Sequence, residues 1–166
     1  MKIRHLLKEL FSFITLTVKS GPLKGKRLIA TSGGKFLSGR HEPYKTDALV
    51  KNFSKGEIFY DIGAHIGYFS AIASVLNEGT GAVIAFEPRP MNARFFRRHM
   101  KLNGIRGVTL YEAAVGEYEG EVLFDTAHGS ATGMVSATGD LAVKQVSVSK
   151  LVERGEIPAP TFVKID

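Results

Sequence analysis

The segment Phe59-Tyr60-Asp61-Ile62-Gly63-Ala64-His65-Ile66-Gly67-Tyr68-Phe69-Ser70 constrains the fold more than any other part of the chain. An apolar run ends in Asp-x-Gly-x-x-x-Gly. A helix-length gap later, a second apolar run, Ala82–Phe86, ends in Glu87. This is the spacing of a β–α–β unit: a strand, a tight glycine turn into a helix N-terminus, and a second strand with an acid at its tip. Periodicity extends the pattern on both sides. It predicts strands over 58–62, 82–86 and 108–112 and helices over 68–76 and 91–102, the latter stopped by Asn103-Gly104. Strands with helices between them predict a parallel, doubly wound sheet.

Upstream, residues 13–18 and 26–30 read as two strands around Gly21-Pro22, residues 33–39 as loop, and 45–53 as a helix. Downstream the alternation breaks. Residues 119–125 and 143–149 alternate apolar and polar, as half-buried antiparallel strands do, around a Gly/Ser/Thr-rich loop over 128–139 read as mobile. One helical turn over 149–154 leads to a final apolar strand over 161–165. The expected division is a helix, hairpin and lead-in over 1–55, followed by a nucleoside-binding unit over 56–166.

Composition sets the class. A chain of 166 residues that is 44% hydrophobic and 23% charged is globular rather than disordered. With no cysteine and five scattered histidines it has no disulfide framework and no metal-ligand spacing, so no bound metal is expected. This usage is compatible with a reducing compartment, and a cytoplasmic location is the reading taken. Residues 1–18 make a poor signal peptide because Lys8 and Glu9 interrupt the apolar stretch. Ile3, Leu6, Leu7, Leu10 and Phe11 fall instead at helical spacing. Docking of that helix on the protein body is preferred to contact with a membrane surface. The net charge of +6 is concentrated in residues 1–40 and 89–111. Such patches are read as solvated faces in preference to a nucleic-acid interface.

The ligand reading comes from the acids. G-x-G-x-x-G receives a pyrophosphate and needs no carboxylate before its turn. S-adenosylmethionine has no phosphate; it carries an ammonium and a sulfonium, and Asp61 suits that positive end, directly or through water. The alternative for Asp61 is a helix N-cap, and both roles can coexist. Gly63 and Gly67 let the backbone turn and approach a ligand closely. Glu87 follows Asp61 by 26 residues, and its two oxygens match a ribose diol. Ala113 and Ala114 end the third strand, where small side chains let an adenine lie against backbone. Phe95, Phe96 and Leu102 are core positions of the second helix, and Arg94, Arg97, Arg98 and Lys101 its wet face.

In these segments, with Gly39-Arg40-His41-Glu42-Pro43, Ala85-Phe86-Glu87-Pro88-Arg89-Pro90, Ala113-Ala114-Val115-Gly116 and Phe162-Val163-Lys164-Ile165-Asp166, the chain resembles the FkbM-type family of class I S-adenosylmethionine-dependent methyltransferases. The resemblance spans roughly residues 36–166. It implies a Rossmann-like doubly wound α/β fold and O-methylation of a hydroxyl on a sugar, glycan or natural product. It places Asp61, Gly63, Ala64, His65 and Gly67 around the methionine end of S-adenosylmethionine. Glu87 and Pro88 come to the ribose, Ala113 and Ala114 to the adenine, Glu42 to a position closing over the cofactor, and Asp166 beside the transferring methyl. A base must remove the acceptor hydroxyl's proton, and Asp166, the nearby candidate, is taken for that role. His65 and His99 stand where the family often has Asn, and Val152 where it has an Asp. The family pattern continues past Lys-Ile-Asp with Val-Glu-Gly and three more strands. The chain is therefore expected to be the N-terminal part of a longer domain, truncated after the fourth core strand. Competing readings are an RNA methyltransferase, an inactive remnant and, last, a dinucleotide oxidoreductase.

Overall fold

The computed structural model describes residues 13–126 and 133–166. The helix expected over 3–11 lies outside them, as does part of the 128–139 loop. Strands β1 (Thr15–Thr17) and β2 (Arg27–Ile29) form an antiparallel hairpin. A 3-10 turn over Ala30–Ser32 leads to helices α1 (Gly34–Ser38) and α2 (Pro43–Asn52). The β–α–β unit follows as β3 (Ile58–Ile62), α3 (Tyr68–Asn77), β4 (Ala82–Phe86), α4 (Pro90–Leu102) and β5 (Val108–Tyr111). A second sheet uses β6 (Ala114–Val115), β7 (Gly120–Asp125), β8 (Met134–Val135) and β9 (Leu141–Val146). Helix α5 (Val148–Glu153) then returns the chain to β10 (Phe162–Ile165).

The main sheet has the order β10-β3-β4-β5 and is parallel throughout. Alternation along its strands divides the core. Phe59, Val83 and Ala85 pack with Phe69 and Ile72 of α3 and Phe95 and Phe96 of α4 on one face. Tyr60, Ile84 and Phe86 pack with Leu151 and Ile157 on the other. The sheet is thus doubly wound. Because β4 and β5 lie on one side of β3 and β10 on the other, the strand order reverses at the β3–β10 border. In open α/β sheets ligands bind at the carboxyl ends of the strands at such a switch point.

The second sheet runs β6-β9-β7-β8, with β7 antiparallel to both β8 and β9. Two segments depart from the sequence expectation. Residues 34–38, read as loop, form α1, which ends in the left-handed Gly39. Met134–Val135, inside the presumed loop, pairs with Phe124 and Asp125. Both elements are too short to leave a periodic signature. Among the described residues no helix is long and apolar enough to cross a membrane, and no group of three or more His, Asp or Glu side chains could hold a metal ion.

Candidate active site

At the carboxyl ends of β3, β4 and β10 lies a cleft of about 640 Å³, within the range of small-molecule sites. One wall is the turn after β3, with Gly63 and His65, and the β4 tip, with Glu87 and Pro88. Ala113, Ala114 and Val115 continue it, and Phe124, Met134 and Val135 of the second sheet face it. His41, Glu42 and Lys45 close the mouth from the α2 side, and Asp166 stands on the floor.

Glu87 organises the wall. It is only 4% exposed. Its Oε2 accepts the His65 backbone N–H at 2.8 Å, and its Oε1 accepts the Arg89 backbone N–H and the Asn92 side-chain amide, each at 3.0 Å. A carboxylate offers about four acceptor positions, and these donors fill three. Glu87 therefore ties the two β–α turns together and keeps capacity for one further donor. Burial pushes its pKa up, against the opposing pull of the three hydrogen bonds.

The two glycines do different work. Gly63, at φ +75°, sends its N–H and that of Ala64 to the Phe86 carbonyl at 3.0 Å. A Cβ there would sit 3.3 Å from Cβ of Asp166. Gly67, at φ +84°, precedes α3, and a Cβ there would lie 2.6 Å from the Phe96 ring and 2.9 Å from Met100 Cε. Gly63 admits the end of β10 to the cleft floor; Gly67 admits helix α4 to the core.

Asp61 lies behind the cleft wall, not in it. It is fully buried, accepts the Ser70 hydroxyl at 2.6 Å on Oδ2 and the Lys164 ammonium at 3.0 Å on Oδ1, and does not line the cleft. Nor does it cap α3, whose N-cap is Gly67 with no side-chain bond. Ala64 and Gly67 also lie behind the cleft wall. Glu42, Gly63, His65, Glu87, Pro88, Ala113, Ala114 and Asp166 do line it.

Sequence reading missed the charges that hold the floor. Asp166 is paired with Lys45 through Oδ1 and lies 2.9 Å from Lys164 Nζ through Oδ2. Burial pushes the Asp166 pKa up, but the two lysines outweigh it and hold it below the usual aspartate value. A carboxylate so held is a weak proton acceptor. Lys45 also lies 3.0 Å from Glu42 Oε2, and Asp166 and Glu42 together raise its pKa. The His41 ring lies against Phe36, tilted by 33° with centroids 3.9 Å apart, and burial lowers its pKa against the pull of Glu42 and Asp166. Lys164 lies in a parallel strand between the outward Val163 and Ile165 and pairs in register with Asp61.

Beneath the wall, His99 is 1% exposed. Its Nε2 accepts the Ile29 backbone N–H at 3.0 Å, and its Nδ1 lies 2.9 Å from the Ile66 carbonyl. A carbonyl only accepts, so Nδ1 carries the proton and the ring is neutral. Burial lowers its pKa to about 4. The ring joins α4, the β2 strand and the turn before Gly67.

The hexuronic acid methyltransferase AglP of Haloferax volcanii is 29% identical over 121 residues, 71% of this chain and 48% of that protein. The chain thus spans about half the length of the curated relative it matches. Among solved structures, methyltransferase FkbM from Methylobacillus flagellatus KT aligns at a TM-score of 0.48 and 23% identity, over 69% of this chain and 27% of that one. Precorrin-6y C5,15-methyltransferase from Geobacter metallireducens GS-15 aligns at 0.42 and 29% identity, over 49% and 42%. The Methyltransferase FkbM domain matches residues 61–166, from the buried acid of β3 to the acid of the cleft floor. That is more than half of the chain, which belongs to this family.

Proposed function

We propose that the chain builds the S-adenosylmethionine-binding part of an O-methyltransferase whose acceptor is a hydroxyl of a sugar or glycan. The observation that carries this reading is the cleft at the β3–β10 switch point, with buried Glu87 in its wall and acceptor capacity left on that carboxylate. One ribose hydroxyl fits that capacity; the other needs a second partner. Ala113 and Ala114 line the cleft with small side chains, which suits an adenine lying against backbone. Gly63, His65 and Asp166 surround the end where the methionine portion fits, and the anionic Asp166 complements its positive charge.

Bound there, S-adenosylmethionine supplies a methyl group on a sulfonium, whose departing thioether makes transfer to an aligned oxygen a matter mainly of geometry. The chain's own residues hold that geometry. Glu87 fixes the turns of the wall, and Lys45 and Lys164 fix Asp166. With its low pKa, Asp166 acts here through its charge and not as the base. His41, neutral near pH 7 and at the cleft mouth, is the proton acceptor this geometry favours.

The sugar acceptor is supported by the relative named for methylating a hexuronic acid. The RNA alternative loses part of its support, because Arg97 in the basic cluster of α4 is paired with Glu112. Transfer of label from methyl-labelled S-adenosylmethionine to a panel of uronic acids, neutral sugars and short RNAs tests the reading. Labelled sugar is the expected result. Label in RNA alone would overturn the acceptor class.

A further inference from the structure

We propose that Lys164 is the positioning residue of the cleft floor: its single ammonium pins Asp166 and the Gly63 turn to the buried Asp61. An ammonium has three N–H donors and no acceptor. The Lys164 Nζ has three acceptors within 3.0 Å, Asp61 Oδ1 at 3.0 Å, the Gly63 carbonyl at 3.0 Å and Asp166 Oδ2 at 2.9 Å, with the Ile62 carbonyl farther off at 3.5 Å. They come from the body of β3, the turn that follows it and the residue that follows β10. The side chain is 11% exposed, and the Phe69 ring lies 5.2 Å from Nζ. Parallel pairing sets Lys164 opposite Asp61, so the strand register aims the ammonium at the switch point.

The second lysine on Asp166 is different in kind. Lys45 reaches it from α2 with half its side chain in solvent, where an ion pair contributes little. Lys164 is thus the fixed partner and Lys45 the screened one. Burial alone would lower the Lys164 pKa, yet Asp61 and Asp166 hold it above the usual lysine value. The consequence for the methyl donor rests on the proposed function; the clamp itself needs no ligand.

The test follows the Asp166 side-chain carboxyl carbon by NMR across pH. The groups facing Asp166 are Lys164 on its own strand and Lys45 from α2, with Glu42 and His41 beside them at the cleft mouth. Lys164→Met is expected to raise the Asp166 midpoint by about one pH unit or more, Lys45→Met by less than half as much, and Lys164→Arg to restore most of the change. Where Lys164→Met does not fold, because Asp61 is left charged and buried, Asp61→Asn with Lys164→Met removes both charges and is read in its place. In that double variant the affinity for S-adenosylmethionine, measured by calorimetry, is expected to fall about tenfold. An unmoved Asp166 midpoint, an equal shift from Lys45→Met, or an unchanged affinity would overturn the proposal. If the unaltered chain bound no S-adenosylmethionine, the proposed function would fail, and the Asp166 titration would still judge the clamp.

Discussion

Acid should loosen this protein through one buried ring. His99 is held as the Nδ1–H tautomer between the Ile66 carbonyl and the Ile29 N–H. A second proton would have to sit on Nε2, where it meets the Ile29 N–H donor at 3.0 Å and finds as acceptor only the Ser32 hydroxyl, farther off at 3.3 Å. The folded-state pKa is about 4, against about 6.5 for an unfolded histidine. Because the folded value is the lower, the unfolded chain binds the proton first. The stabilisation is therefore complete above about pH 6.5 and is lost as pH falls toward 4. The gap corresponds to about 3 kcal/mol, a large share of the 5–15 kcal/mol that typically separates folded from unfolded domains.

Urea denaturation at pH 7.5 and pH 4 measures it, applied to the unaltered chain and to His99→Asn, which cannot titrate. Other groups titrate in the same window. Asp166, Glu78, Glu119 and Asp140, whose pKa values are lowered, also cost stability in acid, whereas Glu87, whose pKa is raised, favours it. These contributions are common to both proteins and cancel in the difference. The unaltered chain should lose about 3 kcal/mol more than His99→Asn over this interval. A difference under about 1 kcal/mol would show that the ring is not held neutral in the fold, and the reasoning would fail.

Further outcomes follow from the turn and wall. Gly67→Ala forces a left-handed alanine and drives its Cβ into Phe96 and Met100; it should cost about 3 kcal/mol of stability in thermal or urea denaturation. Gly63→Ala meets only Asp166, at 3.3 Å. It should cost about 1 kcal/mol of stability while weakening S-adenosylmethionine binding, so equal stability losses for the two glycines would contradict the division of labour between them. Asp166→Asn should weaken S-adenosylmethionine binding about tenfold, the value of one charge-assisted contact, and calorimetry on the folded variant decides it.

The parallel sheet was legible in the sequence because its central strands, β3 and β4, are buried on both faces and read as largely apolar runs. The boundaries of β3 and β4 match those runs residue for residue. Glu87 was legible for the same reason: it is the first acid after such a run. Asp61 was not, because a strand position says nothing about which neighbour claims a side chain. Its partners Ser70 and Lys164 sit 9 and 103 residues away. Lys45 and Lys164 reach Asp166 from two different elements, and nothing in local pattern marks such a convergence. Gly67 looked like a ligand glycine because its spacing is that of one; only the packing of α4 shows what its missing Cβ makes room for. The helix α5 starts at Val148, inside the expected strand, because an amphipathic alternation of this length fits one turn of helix as well as a strand end.

The central claim is that the cleft holds an adenosyl sulfonium through a ribose contact to Glu87. Calorimetric titration of the chain with S-adenosylmethionine, repeated with its 2′-deoxy and 3′-deoxy analogues and with Glu87→Ala, tests this directly. Saturable binding is predicted, weakened about tenfold or more by Glu87→Ala and by loss of the one hydroxyl that meets the remaining acceptor position. No saturable binding, or the same affinity for all three ligands and for a folded Glu87→Ala chain, would contradict it.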